Sequence, residues 1–209
     1  MLPQPAGLPV LTSTVNPAVR APVEVLTQFG KIELLWREMV QHGALCSRYQ
    51  HHSWMAGWWD HIGSMSQDSP HVTVLRDDMG RPVLLLPLVR KKVGPLQAGF
   101  FMGGKHTNFN LPVWRPGHLK QPTAALNALV EGLRHNGPRL DLLVLLNQPA
   151  AWQGVANPML QAPHREAASR AYTGELQSDF EALLKERMGA NSRKKLRQKE
   201  RQLAALGQV

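Results

Sequence analysis

The chain has 209 residues, 43% of them hydrophobic, and a net charge of +9. That apolar content supports a packed core in one or at most two domains and excludes a disordered chain. The single cysteine, Cys46, excludes an internal disulfide and a Cys-rich zinc site and points to a reducing compartment, the cytoplasm.

Other classes drop out as quickly. Met1-Leu2-Pro3-Gln4-Pro5 has no basic start and no long apolar run, so no secretory signal is expected. No apolar stretch reaches the roughly 18 residues that span a bilayer. No spacing of His, Asp or Glu makes a metal site. The charge is local: between Lys185 and Arg201 lie eight basic and two acidic residues, leaving +6 there and +3 elsewhere. That patch needs its own explanation.

Residues 1–22 are rich in Pro, Ala and small polar residues and are expected to form a flexible leader. Val23 to Thr27 alternates and predicts a first strand. Ile32, Leu35, Trp36, Met39 and Val40 recur at helical spacing, and Gly43 ends that helix. Ser53 is expected to cap a second helix that carries Trp54, Trp58 and Ile62 and closes at Gly63. His71–Arg76, the turn Asp77-Asp78-Met79-Gly80 and Pro82–Arg90 predict a hairpin. Gln97–Met102 reads as a further strand.

A long loop, 103–121, follows, and loops of that length are often functional. Pro122 suits the first turn of a helix striped by Leu126, Leu129, Val130 and Leu133 and ending at His135. Leu140–Leu146 is almost wholly apolar and predicts an inner strand covered on both faces. A short helix near Ala151–Leu160, a strand near Ala167–Thr173 and helices over Ser178–Met188 and Asn191–Leu206 complete the reading. The order predicts an α/β fold: a mixed sheet on a central core with helices on both faces, then a C-terminal basic helix.

That order resembles the GNAT-type N-acetyltransferase fold, and three segments sharpen the resemblance. Tyr49-Gln50-His51-His52-Ser53-Trp54-Met55-Ala56-Gly57-Trp58-Trp59-Asp60-His61-Ile62-Gly63 is similar to the F-Q-x-x-x-W-x-x-x-W-W-x-x-F-G helix of the CelD-like acyltransferases, a family associated with cellulose biosynthesis. Tyr49 and Ile62 depart from its two Phe positions. Val83-Leu84-Leu85-Leu86-Pro87-Leu88-Val89-Arg90 resembles the family's buried strand. Asn191–Arg197 through Arg201-Gln202-Leu203 and Gly207 resembles its basic helix.

Fem-type aminoacyl transferases are similar in having two tandem lobes. The resemblance implies that 23–176 is an N-terminal, acceptor-side GNAT-like lobe. Residues 177–209 are then a helical connector into a second lobe that is missing here and is supplied in cis or by a partner chain. The implied activity is acyl transfer from acyl-CoA, such as acetyl-CoA, to an amine or sugar-linked acceptor, for polysaccharide or cell-envelope chemistry. The family's CoA turn, [QR]-x-x-G-x-[GA] at a helix N-terminus, has no counterpart at Phe101–Asn110. No tight acyl-CoA binding is therefore expected of this chain, and the isolated chain is expected to be inactive.

Two clusters are candidate binding residues. Lys105, His106, Asn108 and Asn110 can hold a polar acceptor or simply build a turn. Arg193 and Arg197, one helical turn apart with Arg201 following, can grip a phosphate or carboxylate or form a solvated face. Trp59, Asp60 and His61 suggest general-base chemistry, but no nucleophile pattern accompanies them and packing is the simpler expectation. Cys46, near His42, His51 and His52, is expected to be an inert buried thiol. The general base is not assignable.

An alternative reading is a non-catalytic module using 185–201 for anionic or nucleic-acid partners. Nucleic acid is disfavoured because that segment lacks the interleaved aromatics of stacking recognition. A third possibility is a remnant of an interrupted gene.

Overall fold

The computed structural model describes residues 23–167, 171, 174 and 178–207. The predicted leader lies outside them, as does most of the predicted strand at Ala167–Thr173. The chain divides into two compact units, residues 1–167 and 168–209. It is a mixed α/β protein.

The first unit opens with β1 (Val23–Leu26) and two helices, α1 (Glu33–Gln41) and α2 (His52–His61). A run of strands follows: β2 (Ser69–Pro70), β3 (Val72–Arg76), β4 (Pro82–Leu86), β5 (Leu88–Val93) and β6 (Leu96–Phe101). Then come β7 (Val113–Trp114), helix α3 (Pro122–His135), β8 (Leu142–Val144), and the short pair β9 (Ala151–Trp152) and β10 (Val155–Ala156).

Instead of one central sheet there are two four-stranded sheets, ordered β1-β3-β4-β7 and β2-β5-β6-β8. The switch falls at Pro87, which divides the predicted strand Pro82–Arg90 into β4 and β5. Proline has no N–H to give a ladder. Its carbonyl accepts the amide of Met102 at 2.9 Å, so the break is hydrogen-bonded across to the end of β6.

Helices cover both faces. Trp36 and Met39 of α1 and Met55 and Trp58 of α2 pack on Val72, Val74, Leu85 and Val89. Leu126, Leu129 and Leu133 of α3 pack on Leu75, Leu84, Leu86 and Leu88. The period-2 alternation of the strands sorts their side chains between these two clusters.

Two elements depart from the sequence expectation. Leu140–Leu146 is not an inner strand. Its ordered core, β8, pairs only with β6, in parallel, and forms the sheet's last strand among the described residues. Leu142 and Leu146 are exposed while Leu143 and Leu145 rest on the α3-side core. The apolar run reported one covered face, not two. Ala151–Leu160 is not a helix: β9 and β10 form a hairpin, and Pro158–Gln161 is a single 3-10 turn capped by Asn157. The second helix starts earlier than expected, with His51 rather than Ser53 at its N-cap. The 103–121 loop contains β7 and two 3-10 turns.

The second unit contains α4 (Phe180–Arg187), capped by the Asp179 carboxylate, and α5 (Ala190–Ala204). Neither helix has a buried residue. No helix among the described residues is long and apolar enough to cross a membrane.

Helix α3 is drawn onto β1 at Gly132, where an added Cβ would sit 2.3 Å from Val23 Cβ. Asn136 at the end of α3 donates to the Val23 carbonyl at 2.6 Å. Alanine is the better helix former by about 1 kcal/mol, but the overlap costs about 1–3 kcal/mol and here falls on a β-carbon that cannot rotate away. Gly132→Ala is expected to lower stability in urea unfolding; an unchanged or raised midpoint would refute this close approach.

His71 is fully buried, and neither ring nitrogen has a partner. Burial, with the Arg90 charge adding to it, pushes the imidazole down from 6.5 to about 4. The unfolded chain therefore binds the proton more readily. This stabilisation is complete above pH 6.5 and declines as pH falls toward 4, by about 3 kcal/mol. Unfolding curves for the wild type and His71→Leu across that range are expected to diverge, with the flatter profile in the variant.

Candidate functional site

A cleft of about 280 Å³ opens between α2 and the segment entering α1. Helix α2 supplies His52, Ala56, Trp59 and Asp60 to it. These positions at i, i+4, i+7 and i+8 share one helical stripe. Phe29, Gly30 and Glu33 form the facing wall. The small residues Gly30 and Ala56 leave the space that larger side chains would fill.

The floor is aromatic. Phe29 lies nearly parallel to His52, with ring centroids 5.5 Å apart, and to Trp59 at 6.2 Å. Trp36 meets the His52 ring edge-on at 5.7 Å. His52 is 3% exposed and neither of its ring nitrogens has a hydrogen-bond partner. Burial is the main cause holding its pKa below the ordinary value; Glu33 opposes it, Arg37 and His51 add to it, and Asp60 opposes it weakly. His52 is thus neutral at pH 7 and offers a lone pair. Glu33 is tied to Arg37 at 2.8 Å, whereas the exposed Asp60 carboxylate has no partner among the described residues. No Lys or Arg lines the cleft.

Sequence reasoning touched this site from the edge only. It weighed Asp60 and Trp59 together with His61, which is exposed and lies outside the lining. His52 entered only as a neighbour of Cys46, and Phe29, Gly30 and Glu33 were missed. The available signal was the stripe His52, Ala56, Trp59, Asp60, two of whose members are ionisable on an otherwise packing helix. Cys46 is half-buried, and burial pushes its thiol up against the opposing Arg48, as suits an inert thiol.

The 103–110 residues divide. Asn110 is buried, donates to the Leu146 carbonyl at 3.1 Å and accepts from Thr107 Oγ1 at 2.9 Å, so it ties the loop to the end of the β8 segment. Lys105, His106 and Asn108 are exposed on the same loop. None of the four lines the cleft. Arg193 and Arg197 lie in the second unit. The Arg193 guanidinium donates to the carbonyls of Lys185 and Met188, closing the C-terminal end of α4. Arg197 pairs with Glu181 at 2.6 Å. Both arginines therefore have internal partners. Among the described residues no group of three His, Cys, Asp or Glu is placed to hold a metal.

Gln50 holds the approach to α2 in register. Its carbonyl accepts from Trp36 Nε1 at 2.9 Å, its Oε1 accepts from Ser47 at 2.6 Å, and its Nε2 donates to the Phe109 carbonyl at 3.0 Å. Comparison of the chain with protein-family models, with curated proteins and with solved structures found no match.

Gln50 is fully buried. Gln50→Ala leaves the Ser47 hydroxyl and the Phe109 carbonyl without these partners, at about 1–3 kcal/mol each. Denaturant unfolding is expected to show a loss of at least about 2 kcal/mol; a loss below about 1 kcal/mol would contradict this role.

Proposed function

We propose that the first unit is the acceptor-side lobe of a GNAT-type, acyl-CoA-dependent N-acyltransferase acting on an amine or sugar-linked acceptor. The strand path carries the reading. β1 pairs with β3 and β3 with β4, β5 continues beyond Pro87 to pair with β6, and α3 carries the chain to β8, parallel to β6. An antiparallel run closed by a strand–helix–strand crossover agrees with the fold that the motifs imply. The motif residues also have work there: Gln50 and Trp58 are buried around α2, and Val83–Val89 is buried throughout.

In amine acylation the protein chiefly positions the acceptor nitrogen beside the thioester carbonyl, while a base or water removes its proton. The acyl donor is assigned to a second lobe, in cis or on a partner chain. β6 does not run directly into an α-helix; a 3-10 turn at Gly104–His106 and then β7 intervene, and α3 begins at Pro122, which has no N–H to offer a phosphate.

Calorimetric titration of the full chain with acetyl-CoA checks this division of labour. The expected result is no saturable binding in the micromolar range. A micromolar Kd, about −8 kcal/mol, would place the donor site on this chain and overturn the acceptor-side assignment.

A further inference from the structure

The His52 cleft combines features that together specify a ligand. Its rim carries two carboxylates, Glu33 and Asp60, and no lining cation. Asp60 is unpaired among the described residues, so its charge is available to a ligand. Its wall is the aromatic surface of Phe29 and Trp59, suited to the apolar face of a ring and to cation–π attraction. Its floor is a neutral imidazole, more than nine-tenths buried, with both nitrogens unmatched. A buried polar group without a partner is costly to leave so, and a donor brought to either nitrogen removes that cost. At about 280 Å³ the space lies just below the usual range for small-molecule sites, about 300–1,000 Å³, and suits a single ring.

We propose that this cleft binds a protonated amine carried on a sugar-sized ring, with Asp60 balancing its charge, Trp59 against the ring face, and a His52 nitrogen accepting one of its N–H bonds. Carboxylates at the rim attract a cation and repel a phosphate or an acidic sugar. The imidazole, neutral and facing Glu33, Arg37, His51 and Asp60, accepts from an ammonium, whereas a protonated one would repel it. Neither ring nitrogen is open to solvent, so the ligand reaches His52 by moving a residue of the cleft wall. Glu33 is the half-exposed member of that wall, held only by the exposed Arg37. The proposal deepens the acyltransferase reading, resting on it only for the idea that the bound amine is the acyl acceptor.

The test is a titration of the full chain with glucosamine at about pH 6.5, where an amine of the α-amino type, pKa about 7.7–8.0, is protonated. Binding is followed through the Trp59 indole and His52 ring signals in NMR. Saturable shifts are expected at both residues, with glucose and N-acetylglucosamine at least tenfold weaker. Asp60→Asn, at an exposed position, should fold normally and lose about tenfold. His52→Phe keeps the stacked aromatic and removes the acceptor, and is expected to lose a similar factor.

The proposal is overturned if glucosamine gives no saturable shift, if glucose binds equally well, or if both variants bind as the wild type does. Asp60→Asn decides the matter should His52→Phe fail to fold. These outcomes are independent of acetyl-CoA binding. Failure here leaves the acceptor-side reading standing with its site elsewhere, and micromolar acetyl-CoA binding leaves this site standing without that reading.

Discussion

The first unit depends on one path of chain, Val83 to Val89, buried at every residue. Its side chains feed both cores: Leu84, Leu86 and Leu88 enter the one under α3, and Leu85 and Val89 the one under α1 and α2. Each such leucine or valine is worth about 1.5–3 kcal/mol when fully withdrawn from water. The path also joins the two sheets, because β4 ladders with β3 and β7 while β5 ladders with β2 and β6. Pro87 makes this possible. A continuous strand would keep its partners, and a residue that cannot donate frees the chain to change them.

Placement of α2 follows from that path. Met55 and Trp58 bury against Val72, Val74, Leu85 and Val89, and so fix the rotation of the helix. With Met55 and Trp58 inward, His52, Trp59 and Asp60 face the entry to α1. Gln50 secures the approach by joining Ser47, Trp36 and the Phe109 carbonyl. The cleft is thus a consequence of packing on its far side. Helix α2 and the turn that enters α1 do not meet where Ala56 and Gly30 offer little side chain.

Much of this was legible in the sequence because it is periodic. The Leu126, Leu129, Leu133 stripe with Pro122 before it marked the ends of α3. The Asp77–Gly80 turn was legible because Asp77 can accept from the backbone of Met79 and Arg81, as it does at 3.0 and 2.9 Å. Leu140–Leu146 misled because an apolar run reports hydrophobicity and not the number of neighbours, and here the sheet ends on it. The β9–β10 hairpin was hidden because its turn, Gln153-Gly154, has positive φ at both residues, 50° and 77°, and Gln is a rare residue in that conformation. The cleft was invisible for a different reason. Periodicity assigns a residue to a face but does not say which gap between two faces stays unfilled.

Charge makes the same distinction between a total and a place. The net charge of +9 invites an anionic ligand, yet most of it sits between Lys185 and Arg201 in the second unit. There Arg193 is turned to helix carbonyls and Arg197 to Glu181, so part of the apparent anion site is internal wiring of two helices that bury no residue of their own. In the first unit the cleft beside α2 carries two carboxylates and a neutral imidazole. Screening confines the influence of exposed charges to about 8 Å at physiological salt. What enters a cleft is therefore decided by the few groups that line it, and those groups can run against the sign of the whole chain.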